Sequence, residues 1–242
     1  MAGDGIYVGT SGWTYDDWQG SFYPEDVRGA ARLEFYATQF NAVEVNATFY
    51  RLPTANMIAA WNRRLGQSFH LVLKGWQPIT HRKKLADCGE AVTQFFDRTR
   101  QLQRLVVTLW QLPPSLAKDT ARLAAFLDGL PKEVRHAVEF RHSSWWDDEV
   151  AGVLAQRGVA FVAVSHRELP EDVVPTADFL YVRFHGKGHE LYRYDYTDEE
   201  LDTWVTRLKP SLAGRRLYAF FNNDYDAHAP KNARRFRELL AE

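Results

Sequence analysis

Short apolar runs alternate with longer amphipathic segments along the whole chain. The runs are rich in β-branched and aromatic residues, which is typical of buried strands. They predict eight strands, at residues 6–9, 42–46, 69–74, 105–109, 137–140, 160–164, 179–184 and 217–221. The segments between them have apolar residues at helical spacing and predict seven helices, at residues 30–40, 54–65, 90–102, 119–130, 146–157, 198–208 and 231–240.

Individual residues mark several of the predicted helix ends. Thr54 is placed to cap the N-terminus of the second helix, and Gly158 follows the fifth helix at a position that glycine favours. Pro131 and Pro210 are expected to end the fourth and sixth helices, because proline interrupts helical hydrogen bonding. Two prolines also lie between the sixth and seventh strands, so the helix there is expected to be short or missing.

Repeated alternation of strands and helices is the signature of a (β/α)8 barrel, a fold that often forms one domain of about this length. The sequence therefore predicts an α/β fold, a TIM-like barrel formed as a single domain over residues 1–242. An open doubly wound sheet is the alternative, although it usually has fewer strands. In a barrel, the active site lies at the C-terminal ends of the strands.

Composition and charge narrow the class of protein. Hydrophobic residues make up 45% of the 242 residues, enough for a full core, and the formal net charge of −1 gives no general attraction to nucleic acid or anionic membranes. The single cysteine, Cys88, excludes an intramolecular disulfide and fits a reducing compartment. The first residues lack a secretion signal and no apolar run is long enough to span a membrane, so we expect a cytoplasmic protein without a membrane partner.

Charged residues occupy alternate positions near the ends of several predicted strands. In the segment V-E-F-R-H, the period of two turns Val138 and Phe140 toward the helices and Glu139 and Arg141 toward the barrel axis. Buried charges are costly unless they are paired. The inward charges therefore predict either a self-neutralising structural network or a ligand site, built from Glu44, Lys74, Glu139, Arg141 and Arg183.

Several short motifs are spread in order over nearly the whole chain. They are G-T-S-G-W at 9–13, F-Y-P at 22–24, V-E-V-N-A-T-F-Y-R-L-P at 43–53, K-G-W-Q-P-I-T-H at 74–81, Q-L-P-P-S at 111–115, V-E-F-R-H-S-S-W at 138–145, Y-V-R-F-H-G at 181–186 and F-F-N-N-D at 220–224. Together they resemble the YecE-like family, domain of unknown function 72. The resemblance implies a TIM-barrel-like fold with its site at the barrel mouth. It implies no particular reaction, because none is established for the family.

Basic groups outnumber acidic groups at the predicted mouth of the barrel. Barrels of this kind often bind phosphate with the loops after strands seven and eight. The first of these loops places Lys187 between two glycines, whose backbone N–H groups are able to form an anion nest, and the second carries Asn222, Asn223 and Asp224. We therefore expect a phosphate-bearing ligand, with a flexible surface loop as the alternative interpretation of the glycines.

The first functional hypothesis is an enzyme, either a phosphoester hydrolase or a sugar-phosphate isomerase. Glu139 is the predicted general acid or base, with Glu44 as the alternative carboxylate, and His166 or His185 is predicted to transfer protons. The other predicted site residues bind the substrate and hold its anionic charge: Lys74, Arg141, Arg183, Asn46, Tyr50, Trp13, His142, Asn222, Asn223, Asp224 and Lys187.

The second hypothesis is a non-catalytic nucleic-acid-binding module that uses the basic mouth and stacking aromatics such as Trp13 and Tyr50. The near-neutral global charge counts against it, so an anionic small molecule is the partner expected first. No organic cofactor is expected. A divalent metal between His166, His185 and Glu139 is allowed but not favoured, because nearby arginines would repel a cation.

Overall fold

The computed structural model describes residues 5–242, so only the first four residues of the predicted domain lie outside it. All eight predicted strands form, with ends within two residues of the expected ones, and the sixth is divided at Val162 into two short strands. The strands are β1 (Ile6–Thr10), β2 (Ala42–Val45), β3 (His70–Lys74), β4 (Leu105–Gln111), β5 (Arg135–Glu139), β6 (Ala160–Phe161), β7 (Ala163–His166), β8 (Phe179–Gly186) and β9 (Arg216–Phe221).

The strands pair in the order of a TIM-like barrel. One sheet has the order β2-β3-β4-β5-β6 and the other has the order β1-β9-β8-β7, and every neighbouring pair is parallel. The two sheets meet where β6 continues into β7 and where a single bridge joins Ser11 to Glu44. The predicted TIM-barrel-like α/β fold is therefore confirmed, although its hydrogen-bonded ladder is not continuous around the barrel.

Helices alternate with the strands, and Thr54 caps one of them by accepting a hydrogen bond from the Met57 N–H at 3.3 Å. Between His166 and Phe179, a segment described throughout, there is no helix, as predicted. No helix of residues 5–242 is long and apolar enough to cross a membrane. The helices are α1 (Ala31–Gln39), α2 (Ala47–Tyr50), α3 (Ala55–Arg64), α4 (Gly89–Thr99), α5 (Thr120–Asp128), α6 (Asp148–Ala155), α7 (Asp198–Leu212) and α8 (His228–Leu239).

The predicted end of α7 was wrong. The helix continues through Pro210 to Leu212. Proline removes one backbone donor, but here it lies in the final turn, and the contacts of Leu208 and Leu212 with the core hold that turn in place. At its other end, α7 begins with a capping box between Thr197 and Glu200.

The alternation of side chains along the strands produces two apolar layers. An inner cluster fills the barrel with residues such as Val72, Leu109 and Phe220. An outer cluster joins the strands to the helices and contains Val138 and Phe140, as the sequence predicts. The residues that alternate with Val138 along the strand therefore face the barrel axis. Near the mouth, these inward positions carry polar side chains in place of apolar ones.

The junction of β1 and β2 depends on side chains instead of a regular ladder. The Asn41 side-chain amide accepts from the Val8 N–H at 3.1 Å and donates to the Ile6 carbonyl at 2.7 Å. The Tyr36 hydroxyl accepts from the Thr10 N–H at 2.8 Å. Gly9 permits this approach, because a Cβ at that position would lie 2.0 Å from the Ala42 carbonyl oxygen.

Replacing Gly9 by alanine should therefore destabilise the fold. The added methyl group forces the two strands apart, and overpacking of this kind typically costs about 1–3 kcal/mol, occasionally more. Gly9→Ala is expected to lower the free energy of unfolding by at least that amount in urea titrations. Gly66→Ala is the matched control, because nothing lies within 4 Å of a Cβ added there. Equal stability of Gly9→Ala and Gly66→Ala would contradict this account of the junction.

Candidate active site at the mouth of the barrel

Arg183 lies at the centre of the polar cluster in the barrel mouth. It is an inward residue of β8 and is completely buried. Its Nη2 donates to Glu44 Oε1 at 2.6 Å, and its Nη1 donates to Glu139 Oε2 at 2.5 Å. Both carboxylates are also completely buried, so one guanidinium joins two negative charges that come from opposite parts of the barrel.

Neutral groups complete the coordination of Glu44. The Ser11 hydroxyl donates to Oε1 at 2.7 Å, and the Tyr181 hydroxyl donates to Oε2 at 2.5 Å. Burial and the nearby Glu44 carboxylate raise the pKa of Tyr181 well above its ordinary value, so the phenol keeps its proton and remains a donor. Glu44 is thus fully surrounded by donors inside the barrel.

Glu139 receives a second guanidinium. Arg141 Nε donates to Glu139 Oε1, and His185 Nε2 lies 3.3 Å from the same oxygen. Burial alone would raise the pKa of Glu139, but Arg141 and Arg183 outweigh it and hold that pKa well below its ordinary range. Glu139 is therefore a permanent anion at neutral pH.

Two histidines in the cluster are neutral imidazoles. Burial, together with the charge of Arg141, lowers the pKa of His185 well below its ordinary value and also lowers the pKa of His166. His185 is fully buried, with Nε2 2.9 Å from Arg141 Nη2 and Nδ1 3.1 Å from Asn222 Nδ2. His166 accepts the Glu168 N–H at Nδ1 and lies at the edge of the open cleft.

Lys74 is the cation of the cluster that has no anionic partner. Among residues 5–242, no carboxylate oxygen lies within salt-bridge distance of its Nζ, and Nζ makes no hydrogen bond although it is not sealed from solvent. The ammonium group instead lies 4.5 Å from the centroid of the Phe49 ring. Burial and the charge of Arg183 lower the pKa of Lys74 to about 7.

A cleft of about 490 Å³ opens beside this cluster. Arg141 is the charged side chain that connects the two, since its Nε and Nη2 contact Glu139 and His185 while its side chain also lines the cleft. Within the described chain, Arg141 Nη1 makes no hydrogen bond. The cleft is lined by Gln111, Pro114, Arg141, His142, Ser143, His166, Glu168, Leu169 and Tyr192.

The structure brings ten of the predicted site residues into or beside this cluster. Asn46 joins it through Asn222, with Asn46 Nδ2 donating to Asn222 Oδ1 at 3.4 Å. His142 lines the cleft and uses Nδ1 to accept from Ser144 N–H at 3.2 Å. The full set is Glu44, Asn46, Lys74, Glu139, Arg141, His142, His166, Arg183, His185 and Asn222.

Three predicted site residues point elsewhere. Asn223 follows an inward residue and therefore turns outward, where its Nδ2 donates to Asn232 Oδ1 and to the Tyr194 carbonyl, each at 2.7 Å. Trp13 packs edge-on against Trp61 of α3, with ring centroids 6.0 Å apart. Lys187 is neutralised by Glu171, at 3.0 Å from Oε1, so its loop does not present a free cation.

Two others lie at the rim. Tyr50 is 74% exposed at the end of α2. Asp224 is half-buried near Tyr15 and Asp17, and burial raises its pKa to about 6. Neither residue contacts the ion network, so each is available only to a ligand that extends beyond the central cleft.

Ser11 and Gln111 belong to the cluster but were not among the predicted site residues. Gln111 Oε1 lies 3.5 Å from Arg183 Nη1 and also lines the cleft. A search for ionisable groups overlooks both residues, since β1 and β4 contribute neutral ones. The alternation of side chains along a strand could have identified them, because residues two apart share a face. Ser11 lies two residues beyond Gly9, and Gln111 lies two residues beyond Leu109.

The histidines and carboxylates of the cluster do not form a metal-ligand set. Across residues 5–242 there is no group of three or more His, Cys, Asp or Glu side chains arranged to hold a metal ion. Glu139 Oε1 and His185 Nε2 face each other, and the space around them is occupied by guanidinium groups.

Comparison with known proteins agrees with this architecture. The family described as "Protein of unknown function DUF72" matches residues 7–242. The chain belongs to the DUF72 family. It is similar to the UPF0759 protein YecE of Escherichia coli K12, with 32% identity over 256 residues that cover 93% of this chain and 89% of the relative.

Solved structures place the family among the TIM-like barrels. A DUF72 family protein from Thermotoga maritima has a TM-score of 0.87 and 33% identity, covering 98% of this chain and 99% of its own. A fusion protein with a xylose isomerase-like TIM barrel has a TM-score of 0.51 and 12% identity, covering 95% of this chain and 41% of its own. The second likeness concerns the fold alone.

Removing the central guanidinium of Arg183 should lower the free energy of unfolding. Arg183→Met leaves two buried carboxylates without their shared counterion, and breaking a buried pair in this way costs about 3–5 kcal/mol. The pH dependence of stability should also become weaker. In the parent protein the depressed pKa of Glu139 contributes stability above its unfolded pKa, and this is lost as pH falls through the folded pKa. In Arg183→Met, Glu44 loses its counterion and favours protonation, whereas Glu139 keeps Arg141, so stability should be lost less steeply as pH falls than in the parent protein.

Urea unfolding at several pH values measures both effects. Arg157→Met is the matched control, since Arg157 pairs with Asp128 at the protein surface and its loss should change stability little. An Arg183→Met protein with the parent's stability and the parent's pH dependence would show that the two carboxylates do not depend on Arg183.

Proposed function

We propose that the protein is an enzyme that acts on a small phosphate-bearing substrate in the barrel mouth. The main support for this proposal is the balance of positive and negative charges in the cluster. Glu44 and Glu139 are matched in number by the guanidiniums of Arg141 and Arg183. Lys74 adds a cation that lies beyond salt-bridge distance of every carboxylate in residues 5–242. An anionic group of a substrate would supply the missing charge.

Arg141 is the residue best placed to hold the phosphate. Glu139 and His185 fix two of its guanidinium nitrogens, which limits the conformational entropy lost on binding. The remaining nitrogen is free to donate into the cleft. A guanidinium held in this way offers directed hydrogen bonds to phosphate oxygens, and Lys74 adds positive potential from the end of β3.

Proton transfer in this proposal belongs to His166 and Lys74. His166 is neutral and lies in the wall of the cleft, where it can accept a proton from a substrate. The pKa of Lys74, at about 7, also suits exchange of a proton at neutral pH. Glu139 and Glu44 are enclosed by donors, so in this scheme they orient and balance Arg141 and Arg183 while His166 and Lys74 exchange protons.

These properties favour a sugar-phosphate isomerase over a phosphoester hydrolase. Isomerisation needs a base that removes a proton next to a carbonyl and an acid that returns it. His166 and Lys74 together meet this need near neutral pH. We further propose that the enzyme works in the cytoplasm, in agreement with its single cysteine.

Nucleic-acid binding is the second candidate function. Two tyrosines are exposed at the rim of the mouth: Tyr50 is 74% exposed and Tyr225 is 43% exposed. Exposed aromatic rings beside a basic cleft are suited to stacking on unpaired bases. Salt dependence separates this candidate from the first, since binding to a single strand weakens steeply as salt is raised.

Calorimetric titration with dihydroxyacetone phosphate, dihydroxyacetone and inorganic phosphate tests the main proposal. The two phosphate compounds should bind, and dihydroxyacetone should bind far more weakly. Arg141→Ala should weaken binding of both phosphate compounds by about tenfold or more, as expected for the loss of a hydrogen bond to a charged group.

Lys132→Ala is the matched control, because Lys132 lies at the opposite end of the barrel, just before β5. It should bind the phosphate compounds like the parent protein. Equal affinity for dihydroxyacetone and its phosphate would overturn the phosphate proposal. Binding of a single-stranded oligonucleotide alone, with a steep salt dependence, would favour the second candidate.

A further inference from the structure

Lys74 has no polar partner for its amine among residues 5–242, whereas Lys83 and Lys84 donate to backbone carbonyl groups. Lys118, Lys187 and Lys231 each lie within 4 Å of a carboxylate oxygen. Lys74 has no such partner among residues 5–242, although it is the lysine closest to the centre of the polar cluster. This partly buried amine at the carboxyl end of a barrel strand contacts the Phe49 ring and pairs with no carboxylate of residues 5–242.

The surroundings of Lys74 hold its backbone firmly while leaving the amine free. The Thr48 hydroxyl lies 2.7 Å from the Lys74 carbonyl oxygen, which ties the end of β3 to α2. Along the side chain, Nζ lies 4.5 Å from the centroid of the Phe49 ring. The His81 ring contacts the same phenyl ring, at a centroid distance of 4.8 Å. A fixed stem, an apolar wall and a nearby imidazole are features suited to a nucleophilic amine.

We propose that Lys74 forms a covalent imine with the carbonyl carbon of the substrate. The substrate class is then a small aldehyde or ketone that also carries a phosphate group. This inference deepens the proposed function and rests on it: Arg141 holds the phosphate, Lys74 reacts with the carbonyl instead of exchanging protons, and proton transfer is left to the histidines.

The protonation state of the amine agrees with this role. Burial and the charge of Arg183 lower the pKa of Lys74 to about 7, so a large fraction of the amine is unprotonated at neutral pH. Burial, together with the charge of Lys74, also lowers the pKa of His81, which leaves that imidazole neutral. A neutral imidazole near Lys74 is available to carry protons during the reaction.

The chemical step balances without an added oxidant or reductant. The Nζ lone pair attacks the carbonyl carbon and forms a C–N bond, while the carbonyl π electrons move to oxygen, which takes up a proton. The nitrogen loses one proton to a base, a role open to the His81 imidazole, which packs on the same Phe49 ring as the amine. The hydroxyl then leaves as water with the returned proton, and the nitrogen lone pair forms the C=N bond.

Reductive trapping tests this inference. The parent protein is incubated with dihydroxyacetone phosphate and sodium cyanoborohydride, and the products are analysed by intact mass and peptide mapping. Hydride reduces the C=N bond, so the trapped protein should gain the mass of one triose phosphate less one oxygen atom. The modification is expected on the peptide that contains Lys74, and unphosphorylated dihydroxyacetone should label it at least tenfold more slowly.

Two variants control for folding and for unspecific labelling. Lys74→Met removes the amine and Lys74→Arg keeps the positive charge, so at least one of them should fold, as judged by its thermal unfolding. Either folded variant should lose the adduct. Lys132→Arg should be labelled like the parent protein, because Lys132 lies at the other end of the barrel.

The outcomes separate this inference from the proposed function. A single adduct at Lys74, absent from the folded Lys74 variants, supports imine formation. Calorimetric binding of dihydroxyacetone phosphate without any adduct overturns the imine and leaves the phosphate proposal standing. Neither binding nor an adduct overturns both. Adducts spread over many lysines and unchanged in Lys74→Arg also overturn the imine.

Discussion

The mouth of the barrel depends on one guanidinium held between two buried carboxylates. Arg183 contacts Glu44 from β2 and Glu139 from β5, and all three side chains are completely buried. Removing ions from water costs several kcal/mol for each, and only close pairing with further hydrogen bonds offsets that cost. Ser11 and Tyr181 provide those bonds for Glu44. A network of this kind need not add to the stability of the fold, but it holds its member side chains in fixed positions.

This arrangement determines which groups are left to act on a ligand. The carboxylates are enclosed, so they set the orientation of Arg183 and Arg141. Arg141 extends from the network into the cleft, and Lys74, at the end of β3, has no carboxylate partner among residues 5–242. The proposed chemistry follows from this division: Arg141 holds an anion, and the groups with pKa values near or below neutrality exchange protons or react as nucleophiles.

The repeating pattern of the sequence was sufficient to predict the barrel and the inward face of its strands. The period of two placed Glu139 and Arg141 on the axis correctly, because a strand alternates its side chains whatever its partners are. The same rule assigns Asn222 to the cluster and turns Asn223 away from it.

Tertiary contacts accounted for what the pattern did not predict. The pairing of Lys187 with Glu171 joins residues that are 16 positions apart, and local sequence gives no signal for it. The continuation of α7 through Pro210 likewise depends on packing against the core. The search for charge overlooked Ser11 and Gln111, since neutral donors and acceptors become important only once a buried charge lies beside them.

The central claim is that the network leaves Lys74 as a partly buried amine with no carboxylate partner among residues 5–242. Carbon-13 NMR of labelled lysine side chains, followed from mildly acidic to alkaline pH, tests it most directly, with Lys74→Arg to assign the signal. The account predicts one lysine with a pKa of about 7, whose pKa rises when sulfate is added. A spectrum in which every lysine titrates near the ordinary pKa of about 10.4, with or without sulfate, would contradict it.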